Sequence, residues 1–548
     1  MTKLAFAALG LLVVLWAPAY APAQSAAAPA VDAEQPSLEQ ILAEGDRLER
    51  DRLWGEAYAH YDEALKQHPD QNVLQTRHLF ARMHYDLGRR YEDESFLRSL
   101  QLPPADALAI YADLALKIET HYVHTPNWKT LVAYGTTMFE IALTDEVFLG
   151  RYLRGVSADD INRFRGELRN RLAATPIRSR MEARDAVNLA AWMAEQQLRL
   201  PRAAVTMEYI CGAANTLDDY SSFLTSGELN EVYSQIEGNF VGLGIELKSG
   251  ERGLFILRVI PGSPAESGGI RPGDYISAVD GRSTVEMDSD AAADLLQGPE
   301  GSMVTVTVES PGQSPRDLRI RRSAVEVPSV SDMKVLDPQT GICYFRLNAF
   351  QKTTGKDVEN ALWELHRAGM KSLIIDLRGN PGGLLTAAVE AADKFIEQGV
   401  IVSTRGRSSA EDYTYRAHAS GTWKVPLVVL IDGDSASASE IFAGAIRDHR
   451  RGTIVGTRSY GKGSVQGIFS LRVGCAGIRL TTAKFYSPNG HGYTKVGVSP
   501  DVVVQSVARP TGDVVPQPSS LEDPVMSAAI NVARNRVAGR GAQQLGSR

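Results

Sequence analysis

The sequence predicts a multidomain α+β protein with an N-terminal α-helical region, a small β-rich domain and a C-terminal α/β core. Helical periodicity dominates residues 37–204, whereas short alternating apolar runs with Gly/Pro turns fill residues 238–325. In residues 326–505, buried apolar strands alternate with helices, which favours a largely parallel sheet covered by helices. A chain of 548 residues is long enough for several such units.

Changes in composition set the predicted boundaries. In chain order, the units are a signal peptide (1–23), a linker (24–36), a helical region (37–204), a helical connection (205–237), the β-rich domain (238–325), the α/β core (326–505), and a C-terminal helix and tail (506–548). A net charge of -7 with no basic patch argues against nucleic acid as a partner.

The N-terminal segment is typical of a secretory signal. It has one lysine, an apolar run from Leu4 to Trp16, and small residues before a cleavage point after Ala23. We therefore expect an exported protein, in the periplasm or cell envelope, without a membrane span after cleavage. The alternative is an uncleaved anchor, although the apolar run is short for a bilayer.

The start of the helical region resembles one tetratricopeptide-type helical hairpin. Small residues stand where the two helices would approach, at Gly45, Ala57 and Ala64, with Tyr61 between them and Pro69 as the stop. One hairpin cannot bury its own apolar face, so it must pack on other helices. Two interpretations remain open, a packed helical layer and a groove on which a peptide or an adaptor protein docks.

The most informative stretch of the core is a strand that turns into a helix. Residues 426–432 form an apolar run with the β-branched content of a buried strand, and Ser437 then lies in the first turn of a helix. Unpaired N–H groups at a helix N-terminus can stabilise a developing oxyanion. Because serine is also a common helix cap, we expect Ser435 and Ser439 to be the better cap candidates in this run.

A glycine-flanked lysine follows this helix. Lys462 is set between Gly461 and Gly463, and a lysine can act as a base if burial lowers its pKa from about 10.4. The alternative is a solvated loop lysine. Gln466 lies on an apolar strand, where a buried amide needs a partner, and we expect its oxygen to accept a hydrogen bond from Lys462.

Three motifs together resemble the C-terminal-processing (tail-specific) serine peptidase family. They are S-A-S-A-S-E-I-F-A-G-A around Ser437, G-K-G-S-V-Q around Lys462, and the upstream D-L-R-G-N-P-G-G. The resemblance implies a core of the crotonase/ClpP-like type, with Ser437 as nucleophile, Lys462 as general base and Gln466 orienting the lysine. It also implies an oxyanion hole formed by the N–H of Ala438 and an N–H of either Gly382 or Gly383, and no cofactor or metal.

The β-rich domain resembles a PDZ domain, on the text F-V-G-L-G-I-E-L and the Gly/Pro-rich strands after it. The loop Gly242, Leu243, Gly244 and Ile245 would cradle a terminal carboxylate with backbone N–H groups, and the next strand edge would pair with the peptide. A helix near residues 290–296 would close this groove. Members of the peptidase family often carry an arginine late in this domain, in a strand that reads I-x-R. In this sequence Ser310 stands at that place, which leaves open whether a switch that senses the carboxylate through the arginine is present.

These expectations combine into an exported serine endopeptidase that recognises proteins or peptides with free C-termini. Two alternatives belong to other functional classes. One is a catalytically inactive PDZ and tetratricopeptide scaffold, and the other is a binding protein on the same fold, like the retinoid-binding relatives. Neither alternative requires Ser437 and Lys462 together.

Overall fold

The structure is a computed structural model that describes residues 11–14, 37–250, 252–285, 295–298, 300–504 and 523–545. Most of the predicted signal peptide, the predicted linker and the start of the C-terminal segment lie outside the described residues. Residues Leu11–Val14 form a short strand, β1, which pairs antiparallel with residues 383–384 and 466–468. Within the described chain, no helix combines the length and apolar character that a membrane crossing requires.

The N-terminal region is a helical layer with one short strand at its end. Its elements are α1 (Leu38–Arg50), α2 (Trp54–Gln67), α3 (Asn72–Arg90), α4 (Glu94–Ser99), α5 (Pro104–His121), α6 (Trp128–Ala142), α7 (Glu146–Tyr152), α8 (Ala158–Ala173), α9 (Arg180–Leu198), α10 (Arg202–Asn215), β2 (Ser222–Leu224) and α11 (Ser226–Glu237). Side-chain caps define several helix starts. Ser37, Ser179 and Thr225 each form a capping box with the residue three positions later.

The predicted hairpin is built from α1 and α2. A Cβ atom at Gly45 would lie 2.1 Å from the Tyr61 hydroxyl, so only glycine allows the two helices to approach this closely. The Tyr61 hydroxyl donates to Glu49 at 2.8 Å. The tetratricopeptide assignment itself stays a prediction.

The rest of the helical layer packs directly on the core. Its apolar cluster continues into Leu471, Ile478 and Leu480, and the Val123 N–H donates to the Thr481 carbonyl at 2.8 Å. The helices are therefore part of the framework around the strands that carry the C-terminal motifs.

The β-rich domain contains a five-strand sheet with one additional short strand, and a separate two-stranded sheet. Its elements are β3 (Asn239–Gly242), β4 (Ile245–Gly250), β5 (Gly253–Val259), α12 (Pro264–Ser267), β6 (Tyr275–Val279), β7 (Arg282–Ser283), β8 (Met303–Glu309), β9 (Arg316–Arg321) and β10 (Ser323–Glu326). The larger sheet has the order β4-β5-β6-β8-β9, with β7 paired to β6, and β3 pairs with β10. Among the described strands, β4 is therefore an edge.

In its described residues, the C-terminal core contains two sheets and four helices. Its elements are β11 (Val330–Asp337), β12 (Ile342–Leu347), α13 (Thr354–Arg367), β13 (Ser372–Asp376), β14 (Gly383–Leu384), α14 (Leu385–Asp393), β15 (Val400–Gly406), a 3-10 turn (Ser409–Glu411), β16 (Tyr413–Arg416), β17 (Leu427–Ile431), α15 (Ala438–Asp448), β18 (Gly452–Gly456), β19 (Ser464–Ser470), β20 (Gly477–Tyr486), β21 (Val502–Val503) and α16 (Pro524–Leu545). The first sheet has the order β11-β12-β13-β17-β18-β21, and all its pairs except β11-β12 are parallel.

This parallel sheet brings the turn after β13 and the turn after β17 to the same edge. β13 and β17 are neighbours, with Asp376 opposite Leu430, so the chain leaves both strands side by side. Helices α13, α14 and α15 pack on one face, whereas α16 packs on the other through Val525, Met526, Ala529 and Ala533. The second sheet contains β19, which begins just after Lys462.

Candidate active site

Ser437 occupies a strained position between a strand and a helix. β17 ends at Ile431 and α15 begins at Ala438, so Ser437 is the helix N-cap residue. Its φ of 63° and ψ of -112° are a conformation that residues with a Cβ rarely adopt, and its side chain is fully buried. A serine held in this way at a strand-to-helix turn has the geometry of a nucleophile elbow.

The two neighbouring serines do not cap the helix, contrary to our expectation. The Ser435 hydroxyl donates to the Leu377 carbonyl at 2.8 Å, and the Ser439 hydroxyl donates to the Asn380 carbonyl at 2.9 Å. Both hydroxyls therefore bind the turn to the glycine-rich loop that follows β13. The two hydroxyls do not cap the helix because carbonyl oxygens of this loop lie within hydrogen-bonding distance.

The glycine-rich loop after β13 lies directly against Ser437. A Cβ at Gly382 would be 2.9 Å from the Ser437 Cβ, and Gly382 has a φ of 106°, so the position requires glycine. Asn380 holds the loop, because its Oδ1 accepts the Gly382 N–H at 2.9 Å and its Nδ2 donates to the Leu347 carbonyl at 2.7 Å. At Gly383 a Cβ would meet the Phe350 carbonyl at 2.0 Å.

Lys462 is a fully buried lysine. Its side chain has no solvent exposure, and its Nζ lies 4.7 Å from the centroid of the Tyr220 ring. Burial, and after it the positive charge of Arg479, lower the pKa of Lys462 to about 7, while Glu440 and Asp218 partly oppose the change. A lysine with this pKa is about half neutral near pH 7, which is the condition for accepting a proton.

Glu440, which the sequence analysis missed, joins the Ser437 turn to the Lys462 loop. One carboxylate oxygen accepts the Ser459 hydroxyl at 2.6 Å and the Gly461 N–H at 2.8 Å. The other oxygen accepts the backbone N–H groups of Ser437 and Lys462, both at 2.8 Å. Burial raises the pKa of Glu440, and these hydrogen bonds oppose that rise. The available signal was the capping-box spacing, a glutamate three residues after Ser437.

Gln466 lies in the buried site but does not make the contact that we expected. Its Nε2 donates to the Ser464 hydroxyl at 2.9 Å and to Thr481 Oγ1 at 3.4 Å, and its Oε1 has no hydrogen-bond partner among the described residues. Ser464 is two positions earlier on β19 and Thr481 is opposite on β20, so both lie beside the amide. The proposed orientation of Lys462 by Gln466 stays a prediction.

The loop predicted to hold a carboxylate connects β3 to the edge strand β4. The Leu243 side chain is buried in the domain core, and Ile245, at the start of β4, packs against this core. Gly244 has a φ of 80°, and a Cβ there would lie 2.3 Å from the Ser263 Cβ, so this position also requires glycine. Most of the helix predicted near residues 290–296 lies outside the described residues.

Ser310, which we aligned with the family's I-x-R arginine, does not lie in a strand. The sequence reads I-x-R at residues 320–322, at the end of β9, whereas Ser310 follows β8, one strand earlier. The buried Arg322 guanidinium donates to the carbonyls of Leu295 and Leu296, each at 2.9 Å. Arg322 therefore fixes the strand end to the helical segment beside it.

Comparisons with known proteins agree with this architecture. The sequence profile of peptidase family S41 matches residues 341–504, and that of the PDZ domain matches residues 255–310. The carboxy-terminal-processing protease of Bartonella bacilliformis is 38% identical over 302 residues, which cover 54% of this chain and 68% of that protein. The carboxyl-terminal-processing protease of Synechocystis sp. is 36% identical over 283 residues, which cover 51% of this chain and 64% of that protein.

The solved structures similar to this chain include a photosystem II D1 C-terminal processing protease. It is 27% identical, with a TM-score of 0.38, over 73% of this chain and 93% of that one. The sequence matches span about two thirds of each of these two curated relatives. This chain therefore belongs to peptidase family S41 and is a serine peptidase with a PDZ domain.

Proposed function

We propose that this chain is an exported endopeptidase that cleaves with a Ser437–Lys462 dyad and selects substrates by their C-termini through its PDZ domain. The observation that carries the proposal is the buried Lys462, whose pKa is lowered to about 7 and whose loop shares the Glu440 carboxylate with the Ser437 turn. A solvated lysine would be almost fully charged at neutral pH and could not act as a base.

The proposed reaction is acyl transfer. Neutral Lys462 accepts the Ser437 hydroxyl proton while the oxygen attacks a peptide carbonyl. The tetrahedral intermediate then collapses, the Lys462 ammonium returns the proton to the leaving amine, and water hydrolyses the acyl-enzyme. The N-terminal end of α15 favours negative charge beside Ser437, because its first N–H groups lack partners within the helix.

For the oxyanion hole we propose the N–H of Ala438 together with that of Gly383. Both glycines lie in the loop that approaches Ser437, but the Gly382 N–H already donates to Asn380 Oδ1 at 2.9 Å. Gly383 lies opposite Val14 of β1, and cleavage of the predicted signal after Ala23 would remove that pairing. Gly382 then has a different function. Its missing side chain leaves room for the loop to lie against the Ser437 turn.

Glu440 is a positioning residue in this proposal. It accepts four hydrogen bonds from groups on both sides of the site, so it fixes the separation of the Ser437 and Lys462 backbones. Charge-assisted hydrogen bonds to a buried carboxylate are strong, and each donor would lose its partner if the carboxylate were removed. Gln466 is retained as a proposed neighbour that helps to hold the lysine.

The PDZ part of the proposal rests on the edge strand and its preceding loop. β4 is an edge among the described strands, so a peptide can add beside it and bond to its backbone. The Gly242–Ile245 loop supplies backbone N–H groups at the end of this groove for a terminal carboxylate. The proposed substrates are proteins or peptides with free C-termini, and an adaptor on the helical region is a further proposed partner.

Labelling with a fluorophosphonate tests the dyad without knowledge of the physiological substrate. The expected result is modification of Ser437 in the wild type, and little in Lys462→Ala, with Lys352→Ala as the matched control because Lys352 is an exposed lysine paired with Glu237. Peptidase activity on an unfolded protein should follow the labelling. Failure of the folded wild type to react with the probe would favour the inactive scaffold.

Export can be tested separately. The predicted signal should direct the chain out of the cytoplasm and be removed after Ala23, which N-terminal sequencing of the mature protein would show. Retention of residues 1–23 on a membrane-bound enzyme would instead support the anchor.

A further inference from the structure

The turn between α10 and β2 is held rigidly against the core. Asp218 Oδ1 accepts the N–H groups of Tyr220 at 2.8 Å and Ser221 at 2.7 Å, which closes the turn on itself. The buried Ser221 hydroxyl then accepts the Thr481 N–H from β20 at 3.1 Å. Tyr220 is therefore presented from a fixed backbone, and its ring does not have to be ordered by substrate.

The Tyr220 ring lies over the Lys462 ammonium. The distance from Nζ to the ring centroid is 4.7 Å, and the Lys462 side chain has no solvent exposure. Burial raises the pKa of the Tyr220 phenol, so the ring is neutral at any pH at which Lys462 titrates. The ring therefore contributes an apolar cover and a π-face, without a charge.

We infer that Tyr220 is a positioning residue for Lys462, whose ring keeps water from the ammonium and holds Nζ at its working place. The inference rests on the proposed dyad, because it concerns the protonation state of the base. It assigns a function to a residue outside the three peptidase motifs, in the turn between α10 and β2.

The ring has two opposite effects on the lysine. Contact with the π-face favours the charged ammonium, whereas exclusion of water disfavours it. Burial is the largest cause of the lowered pKa of Lys462, and the Tyr220 ring is part of the surroundings that bury it, so we expect exclusion of water to be the larger of the two effects. Removal of the ring should therefore raise the pKa of Lys462, since water would again solvate the charged form.

Other charged groups also face Lys462 and must be considered. Arg479 on β20 lowers the pKa of Lys462, and Glu440 on α15 and Asp218 in the turn raise it. Arg479 donates to the Ser222 hydroxyl at 3.0 Å, and Glu440 is held by its four donors. Substitution of Tyr220 leaves these three groups in place, so a shift can be assigned to the ring.

The test is the pH dependence of Ser437 labelling by a fluorophosphonate, in which the Ser437 oxygen forms a bond to phosphorus, fluoride leaves, and Lys462 takes the proton. We compare the full-length wild type with Tyr220→Ala, Tyr220→Leu and Tyr220→Phe. Asp219→Asn is the matched control, because it changes an exposed carboxylate on the same turn. Thermal unfolding establishes that each variant is folded.

In Tyr220→Ala, the midpoint of the pH profile should move upward by about one unit, which is about a tenfold lower labelling rate at pH 6. Tyr220→Phe and Asp219→Asn should keep the wild-type midpoint, and Tyr220→Leu should lie between. Tyr220→Leu retains apolar bulk, so it decides the question if Tyr220→Ala does not fold.

Two outcomes would overturn the inference. An equal loss of rate at every pH in Tyr220→Ala would mean a purely structural contribution, and a downward shift would mean that the ring mainly stabilises the ammonium. A different result would contradict the proposed dyad itself. If Lys462→Ala were labelled at the wild-type rate, Lys462 would not be the base, whatever the effect of the Tyr220 substitutions.

Discussion

The Ser437–Lys462 site and the PDZ loop are built in opposite ways. The peptidase site depends on buried side chains, such as the Glu440 carboxylate, which accepts the Ser459 hydroxyl and three backbone N–H groups. The PDZ loop Gly242–Ile245 offers mainly backbone groups, at the edge of a sheet. Chemistry of the first kind is sensitive to single substitutions. Recognition of the second kind must be tested by changing the ligand.

The largest effect is expected for the dyad itself. Ser437→Ala and Lys462→Ala should each lower kcat/KM on an unfolded protein by about 10⁴-fold or more, because they remove the proposed nucleophile or its proposed base. The double variant should be hardly worse than either single variant, as expected of two residues that act as a unit. Lys352→Ala serves as the control for loss of a lysine.

Assays of proteolysis, with circular dichroism to establish folding, decide this prediction. Substantial turnover by Lys462→Ala at neutral pH would contradict it, because another group would then have to take the Ser437 proton.

The second effect concerns the residue that holds the site together. Glu440→Gln should lower kcat by about 10²-fold to 10³-fold, because one carboxylate oxygen becomes an amide group that cannot accept two of the four hydrogen bonds. The loss should appear in kcat more than in KM, as expected if substrate binding does not use Glu440.

Glu237→Gln is the matched control, because Glu237 is a partly exposed carboxylate paired with Lys352. If Glu440→Gln keeps wild-type kcat while losing thermal stability, Glu440 stabilises the fold without positioning the dyad.

The sequence predicted the helices and strands of this site better than the contacts between segments that are distant in sequence. The apolar run after Pro426 and the helix after Ser437 follow from periodicity within one segment, and the buried lysine follows from its flanking glycines and motif. Glu440 was missed because its partners are 19 to 22 residues away in sequence, apart from Ser437. Tyr220 was missed for the same reason, since only the folded chain places it over Lys462.

The errors have a similar cause. Ser435 and Ser439 were expected to cap a helix because the local pattern favours it, but carbonyls of a distant loop take their hydroxyls. Ser310 was chosen for the I-x-R arginine because consecutive strands of the PDZ domain have similar alternating patterns, whereas an I-x-R stretch stands one strand later, at the end of β9. Tertiary partners, which no single segment contains, decided these positions.

The third prediction changes the ligand of the PDZ loop. Amidation of a substrate's C-terminus removes a charge and one acceptor oxygen, so the backbone N–H groups lose a charge-assisted contact of roughly 1.5–3 kcal/mol. The acid should therefore be cleaved with a kcat/KM about tenfold to a hundredfold higher than the amide.

A variant that lacks residues 238–325 is the control, and it should treat acid and amide alike whatever its absolute rate. Equal cleavage of both peptides by the intact enzyme would contradict the proposed reading of C-termini, and would leave the dyad assignment untouched.

The smallest expected effect is the pH dependence of the wild type. Lys462 must be neutral to accept the Ser437 proton, and burial lowers its pKa to about 7, so kcat/KM should rise with pH and reach a plateau above that value. Between pH 6 and pH 8 the increase should be about tenfold, because the neutral fraction of such a lysine grows by that factor. Steady-state assays across this range, with the acid peptide and its amide, measure it. The midpoint should be the same for both peptides, because the proposed binding of the C-terminus by the PDZ loop does not alter the lysine's surroundings. A profile that climbs without a plateau toward about pH 10 would show that Lys462 is solvated in solution.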